Sequence, residues 1–135
     1  MSACVALGAT RFAVVDIEAT GIYATAHDRI IEIAVVQLTP LLEIDDEWAT
    51  LVNPHRDIGR TDIHGIQAGD VAEAPGFEEI IGDVAQRIGD AIVVGHHLRF
   101  DLGFLAAIVR RTVAAPTKTR ARVAFTRAEV KFASA

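Results

Sequence analysis

Three apolar, β-branched runs come before the first helical pattern, and this order constrains the fold more than any other feature of the 135 residues. Arg11 to Ile17 reads R-F-A-V-V-D-I and ends near Gly21, as a buried strand does. Arg29 to Leu38 reads R-I-I-E-I-A-V-V-Q-L and stops before Pro40, and Glu47 to Val52 closes at Asn53-Pro54. Short turns between such runs predict antiparallel neighbours. His55 to Pro75 is rich in Gly, Asp and His and predicts a loop with one helical turn near Gln67 to Val71. Phe77, Ile80, Ile81, Val84, Ala85 and Ile88 then recur at helical spacing, with Gly89 as the stop. Ala91 to Gly95 predicts a fourth strand. Leu98 to Arg111 predicts a second helix, with Leu102, Leu105, Ile108 and Val109 on one face. The sum is one mixed α/β domain, a meander of three strands with a crossover to a fourth.

Beyond Arg111 the periodicity fails. Val123, Phe125, Val130 and Phe132 could form only an edge strand. Charge changes at the same place. Residues 1–109 hold 6 basic residues and 17 acids, whereas residues 110–135 hold 7 basic residues and one acid. We therefore divide the chain into a domain over 1–111 and a basic tail over 112–135. An acidic body does not resemble a simple phosphate-binding surface. It suits clustered carboxylates with divalent counter-ions. The single cysteine, Cys4, excludes an internal disulfide and a Cys-based zinc cluster, and reads as a free thiol. The longest apolar run, Leu102 to Val109, falls far short of the roughly 20 residues of a membrane span. The N-terminus lacks the basic start of a signal peptide. The expectation is a cytoplasmic protein with no membrane partner.

The chemistry-bearing residues are acids. Asp16 and Glu18 lie two apart at the end of the first strand, so both side chains take the same face. They are either two solvated acids or two ligands of a hard divalent cation, which would relieve their repulsion. Asp101 lies in the first turn of the helix after the fourth strand. There it either gains from the helix dipole or joins the first two acids, if the fourth strand pairs with the first. Three converging carboxylates would anchor Mg²⁺ or Mn²⁺.

Val15-Asp16-Ile17-Glu18-Ala19-Thr20-Gly21 resembles the first motif of the DEDD-type 3′–5′ exonucleases, the group containing the proofreading subunit of bacterial DNA polymerase III. Arg29-Ile30-Ile31-Glu32-Ile33-Ala34 resembles that group's second-strand signature. Leu51-Val52-Asn53-Pro54 and Ile63-His64-Gly65-Ile66 match its intervening landmarks in order. Gly95-His96-His97-Leu98-Arg99-Phe100-Asp101 resembles its second motif, with His97 where the family carries Asn. A neutral imidazole replaces one amide hydrogen bond but not donor and acceptor together.

The resemblance implies an RNase H-like mixed sheet flanked by helices and a two-metal site for Mg²⁺ or Mn²⁺. It implies Asp16, Glu18 and Asp101 as metal ligands and catalytic residues. Thr20, Gly21 and Ile22 would line the pocket of the terminal nucleotide, with His97 beside it. His64 is either a pocket residue or a solvated or core histidine. The implied substrate is a single-stranded DNA 3′ end, with a DNA polymerase as partner. The family's third motif, a His-x4-Asp pair on a last helix, has no counterpart, because no His follows His97 and no Asp follows Asp101. The expectation is a fold lacking that helix, either through truncation or frameshift or because a partner-docking tail replaces it. The alternative to an active exonuclease is a catalytically dead remnant or a binding module of the same fold.

Overall fold

The computed structural model describes residues 10–114. Its elements run β1 (Phe12–Ala19), β2 (Ile30–Leu38), β3 (Ile44–Leu51), α1 (Thr61–His64), α2 (Ala68–Val71), α3 (Phe77–Ile88), β4 (Ile92–Val94) and α4 (Leu98–Ala114). The sheet order is β3-β2-β1-β4. β1 pairs antiparallel with β2, which pairs antiparallel with β3, and β4 joins the other side of β1 in parallel. The mixed sheet, its meander and its crossover are those expected from the sequence. Cys4, the segment around Val123 to Phe132 and the expected loss of a last helix all lie outside the described residues, as does most of the 112–135 tail. Among the described residues no helix is long and apolar enough to cross a membrane.

Alternation along β1 turns Ala13, Val15 and Ile17 inward, where α3 and α4 cover them. α3 contributes Ile80, Ile81, Val84 and Ile88 to this core. Its first turn is held by the Glu79 carboxylate, which accepts the Gly76 N–H at 2.7 Å. Its end is set by Gly89, whose φ of 41° lies in the left-handed region that Gly tolerates. A smaller cluster of Ile31, Ile58, Ile66 and Val71 sits beneath the connection from β3 to α3.

Five local expectations need correction. β3 starts at Ile44 rather than Glu47, because backbone pairing continues to Ile44↔Leu38 although Ile44 and Asp45 are exposed. On an edge strand, pairing defines the element without burying alternate side chains. The 55–75 segment holds two short helices rather than one helical turn. α1 buries no residue, so no apolar period marks it. α4 runs to Ala114, and its buried stripe is Asp101, Phe104, Leu105 and Ile108. Leu102 is only half-buried. An acid thus occupies a core-facing position of the helix. β4 is trimmed to Ile92–Val94, while β1 extends through Glu18 to Ala19.

Candidate active site

The site begins with the alternation of β1. Asp16 is exposed and Glu18 half-buried, and both lie on the face opposite Ala13, Val15 and Ile17. Glu18 stands directly across the β1–β2 pair from Glu32. Like charges in opposed positions destabilise a sheet. Burial first, then the charges of Asp16 and Glu32, push the Glu18 carboxyl above the usual range, and His64 pulls the other way. Glu32, the acid within the apolar run of β2, is therefore part of the site's field.

β4 runs beside β1 only as far as Val14↔Val94. Gly95 follows, and a methyl group on it would stand 2.9 Å from the Val15 carbonyl oxygen and 3.4 Å from Asp101 Oδ2. Only glycine lets the chain pass this close to β1 before turning into α4. His97 makes the turn with φ 53° and packs edge-on to His96, ring centroids 4.3 Å apart. Asn adopts this left-handed conformation more readily than His, which gives the family's usual residue a backbone reason as well as a hydrogen-bonding one.

The turn delivers Asp101 beneath β1. It is 2% exposed. It accepts a hydrogen bond from the Ile17 backbone, between the other two acids. Its Oδ2 is buried with no hydrogen-bond partner. Burial first, then Asp16 and Glu18, push its carboxyl up to about 6. An orphaned buried carboxylate oxygen, in the field of two further acids, fits a hard divalent cation as the missing partner. Among the described residues no three His, Cys, Asp or Glu side chains approach closely enough to enclose an ion as they stand. Asp16, Glu18 and Asp101 are brought together as a mutually repelling set rather than a closed cage.

The turn after β1 holds the other expected residues. Thr20 is buried and its hydroxyl points inward, donating to Asp28 Oδ1 at 2.9 Å. Gly21 lies against the same carboxylate, and a methyl group there would overlap it. Ile22 projects outward, 71% exposed. His64 is half-buried with both ring nitrogens engaged. Nδ1 accepts the Ile66 N–H at 3.1 Å, which leaves Nε2 to donate to the Ile58 carbonyl at 3.1 Å. That ring fixes the 58–66 segment while standing near enough to Glu18 to act on its charge. Asp28, absent from the sequence-derived list, is 4% exposed. Burial alone would raise its carboxyl. Hydrogen bonds from Tyr23 and Thr20, with the charges of His27 and Arg56, hold it below the usual range instead.

The model of the Exonuclease family (RNase_T) matches residues 13–133. The chain belongs to this exonuclease family. The match takes in both acid-bearing elements, β1 and α4. Over 96 residues the chain is 38% identical to the PolC-type DNA polymerase III of Bacillus subtilis, covering 70% of this chain and 6% of that one. It thus spans a small fraction of the curated relatives it matches. The nuclease domain of 3′hExo, a DEDDh family member solved with rAMP, superposes with a TM-score of 0.63 at 22% identity, over 80% of this chain and 63% of that one. E. coli exonuclease I, solved with a dT13 oligonucleotide, gives 0.63 at 18% identity, over 76% of this chain and 24% of that one. At these identities the two structures establish the exonuclease-type RNase H-like fold.

Proposed function

We propose that this chain carries the acidic site of a divalent-metal-dependent 3′–5′ exonuclease acting on single-stranded DNA 3′ ends, in a proofreading setting beside a DNA polymerase. The observation that carries the reading is Asp101: a buried carboxylate with one oxygen on the Ile17 backbone and the other unpartnered, within the field of Asp16 and Glu18. The oligonucleotide bound by E. coli exonuclease I and the polymerase identity of the Bacillus subtilis relative support the substrate class and the setting.

Asp16, Glu18 and Asp101 would hold Mg²⁺ or Mn²⁺. When bound, such ions activate a water and stabilise the leaving 3′ oxygen of a phosphodiester. The protein's own part is to fix the acids. β1 sets two of them by strand period, and Gly95 with α4 brings the third under the backbone that joins them. Thr20, Gly21 and Ile22 line the terminal-nucleotide pocket, with His64 and His97 at its margins. Ile22 offers an exposed apolar surface for an unstacked base.

A second reading, a metal- and nucleotide-binding module without turnover, is favoured by one sequence observation. No His follows His97 and no Asp follows Asp101, so the third motif has no source within these residues.

Calorimetric titration of Mn²⁺ into the wild type, Asp16→Ala and Asp101→Asn tests the site. Equal binding by all three would sink it. Mononucleotide release from a 3′-labelled oligonucleotide separates the readings. Turnover lost in Asp16→Ala supports the enzyme, and binding without release supports the module.

A further inference from the structure

We infer that Asp28 is a positioning residue for the terminal nucleotide: its buried carboxylate pre-forms the Thr20–Tyr23 turn on which that nucleotide rests. The inference depends on the reading above that this turn lines the nucleotide pocket.

Every close partner of Asp28 belongs to this turn or to the segment that braces it. Oδ1 accepts the Thr20 hydroxyl at 2.9 Å, and Arg56 Nη1 stands 3.4 Å away. Oδ2 accepts the Tyr23 backbone N–H at 2.9 Å, with His27 Nε2 at 3.8 Å. Thr20 in turn accepts the Arg29 N–H on its hydroxyl at 3.0 Å and donates its own N–H to the Arg29 carbonyl at 2.9 Å. The two ends of the turn are therefore tied directly and through one shared carboxylate. The bracing continues on both sides. Gly59, φ 73°, packs so tightly on the Thr20 carbonyl that a methyl group would overlap it. Arg56 also donates to the His27 carbonyl. Arg111 of α4 donates to the Ala24 carbonyl, joining the turn to the helix that carries Asp101.

The consequence is a rigid backbone beneath solvent-facing side chains. Ile22 and Tyr23 are 71% and 60% exposed. The N–H groups of Thr20 and Tyr23 are engaged internally. Among the described residues, those of Gly21 and Ile22 have no such partner and are left for a ligand. A turn of this kind loses little freedom when it takes up a nucleotide, so ordering costs little affinity. None of these bonds involves the carboxylates of Asp16, Glu18 or Asp101, so Asp28 should govern nucleotide affinity separately from metal affinity.

The test measures Kd for Mn²⁺ alone and for dTMP in the presence of Mn²⁺, on the full chain. Asp28→Asn puts an amide where one of two accepting oxygens is required. Thr20→Val removes the bridging hydroxyl at constant shape and serves if Asp28→Asn does not fold. Each should weaken dTMP binding about tenfold or more, the scale of an unmade buried hydrogen bond, while Mn²⁺ affinity stays within about twofold. Thr20→Ser should restore dTMP binding, and the double variant Asp28→Asn/Thr20→Val should be no weaker than the worse single one, because both break one network. Unchanged dTMP affinity in the variants overturns the inference and leaves the exonuclease reading standing. Parallel loss of Mn²⁺ affinity, or failure of both variants to fold, overturns it too, since Asp28 would then serve the whole fold. A wild type that binds no dTMP removes the underlying reading together with this one.

Discussion

Asp101 accepts a hydrogen bond from the backbone of Ile17, the residue that separates Asp16 from Glu18. One peptide group thus ties the third acid to the strand that carries the first two; burial, then the charges of Asp16 and Glu18, raise its carboxyl, and this contact opposes them.

The first expected consequence is an inverted pH dependence. The folded protein holds the Asp101 carboxyl at about 6 against an ordinary 3.8, so it binds that proton more tightly than the unfolded chain does. The stabilising contribution is complete below the unfolded value and is lost as pH rises through 6. The gap corresponds to about 3 kcal/mol. Glu18, also raised, acts in the same direction. Asp28, held low, acts oppositely: its contribution is present above 3.8 and falls away at lower pH. In EDTA, urea denaturation should show stability declining between about pH 4 and 6.5, and Asp101→Asn should flatten the decline. A wild-type profile that rises throughout this range would contradict the raised carboxyl.

Divalent metal should reverse that decline. Ligands must be deprotonated to bind, so Mn²⁺ should raise the melting temperature more at pH 7.5 than at pH 5. At a hundredfold excess over Kd the gain is about 2.7 kcal/mol. Chelation should remove it. An equal shift at both pH values would mean that Asp101 is not a ligand.

Two glycine substitutions should diverge. In Gly95→Ala the new methyl meets the Val15 carbonyl at 2.9 Å, a backbone atom that cannot swing aside. We expect a loss of about 1–3 kcal/mol and weaker Mn²⁺ binding, because β4 and α4 shift together. Gly82 is exposed within α3 with nothing near its added carbon. Gly82→Ala should stabilise by about 1 kcal/mol through helix propensity. Urea midpoints at constant m-value would test both.

The sequence made the acids legible but not their support. Asp16 and Glu18 follow from strand period, and Asp101 from its place after the fourth strand. Asp28 looks like an ordinary loop acid, because its importance arises only when Thr20, Tyr23 and Arg56 close around it. Phe104 was hidden for another reason. The apolar face of α4 reads as Leu102, Leu105, Ile108 and Val109 until Asp101 is allowed a buried position, which turns the stripe onto Phe104 and leaves Leu102 half-buried.

That rotation gives a sharp test of core packing. Phe104 is fully buried and stands 4.9 Å from Phe100, ring centroid to ring centroid. Phe104→Ala should cost about 3–5 kcal/mol, and Leu102→Ala clearly less. Equal losses by thermal denaturation would restore the helix face read from the sequence.

The alternation of β1 also bears on how the chain reaches its structure. A one-residue slip of this strand would carry Asp16 and Glu18 under α3 and α4 and push Ala13, Val15 and Ile17 into water. Two unpaired carboxylates beneath an apolar ceiling are among the most heavily penalised arrangements a protein can adopt. The acids therefore specify the register of the sheet: a misaligned β1 would bury both of them, so the groups proposed for chemistry also keep the strands in step.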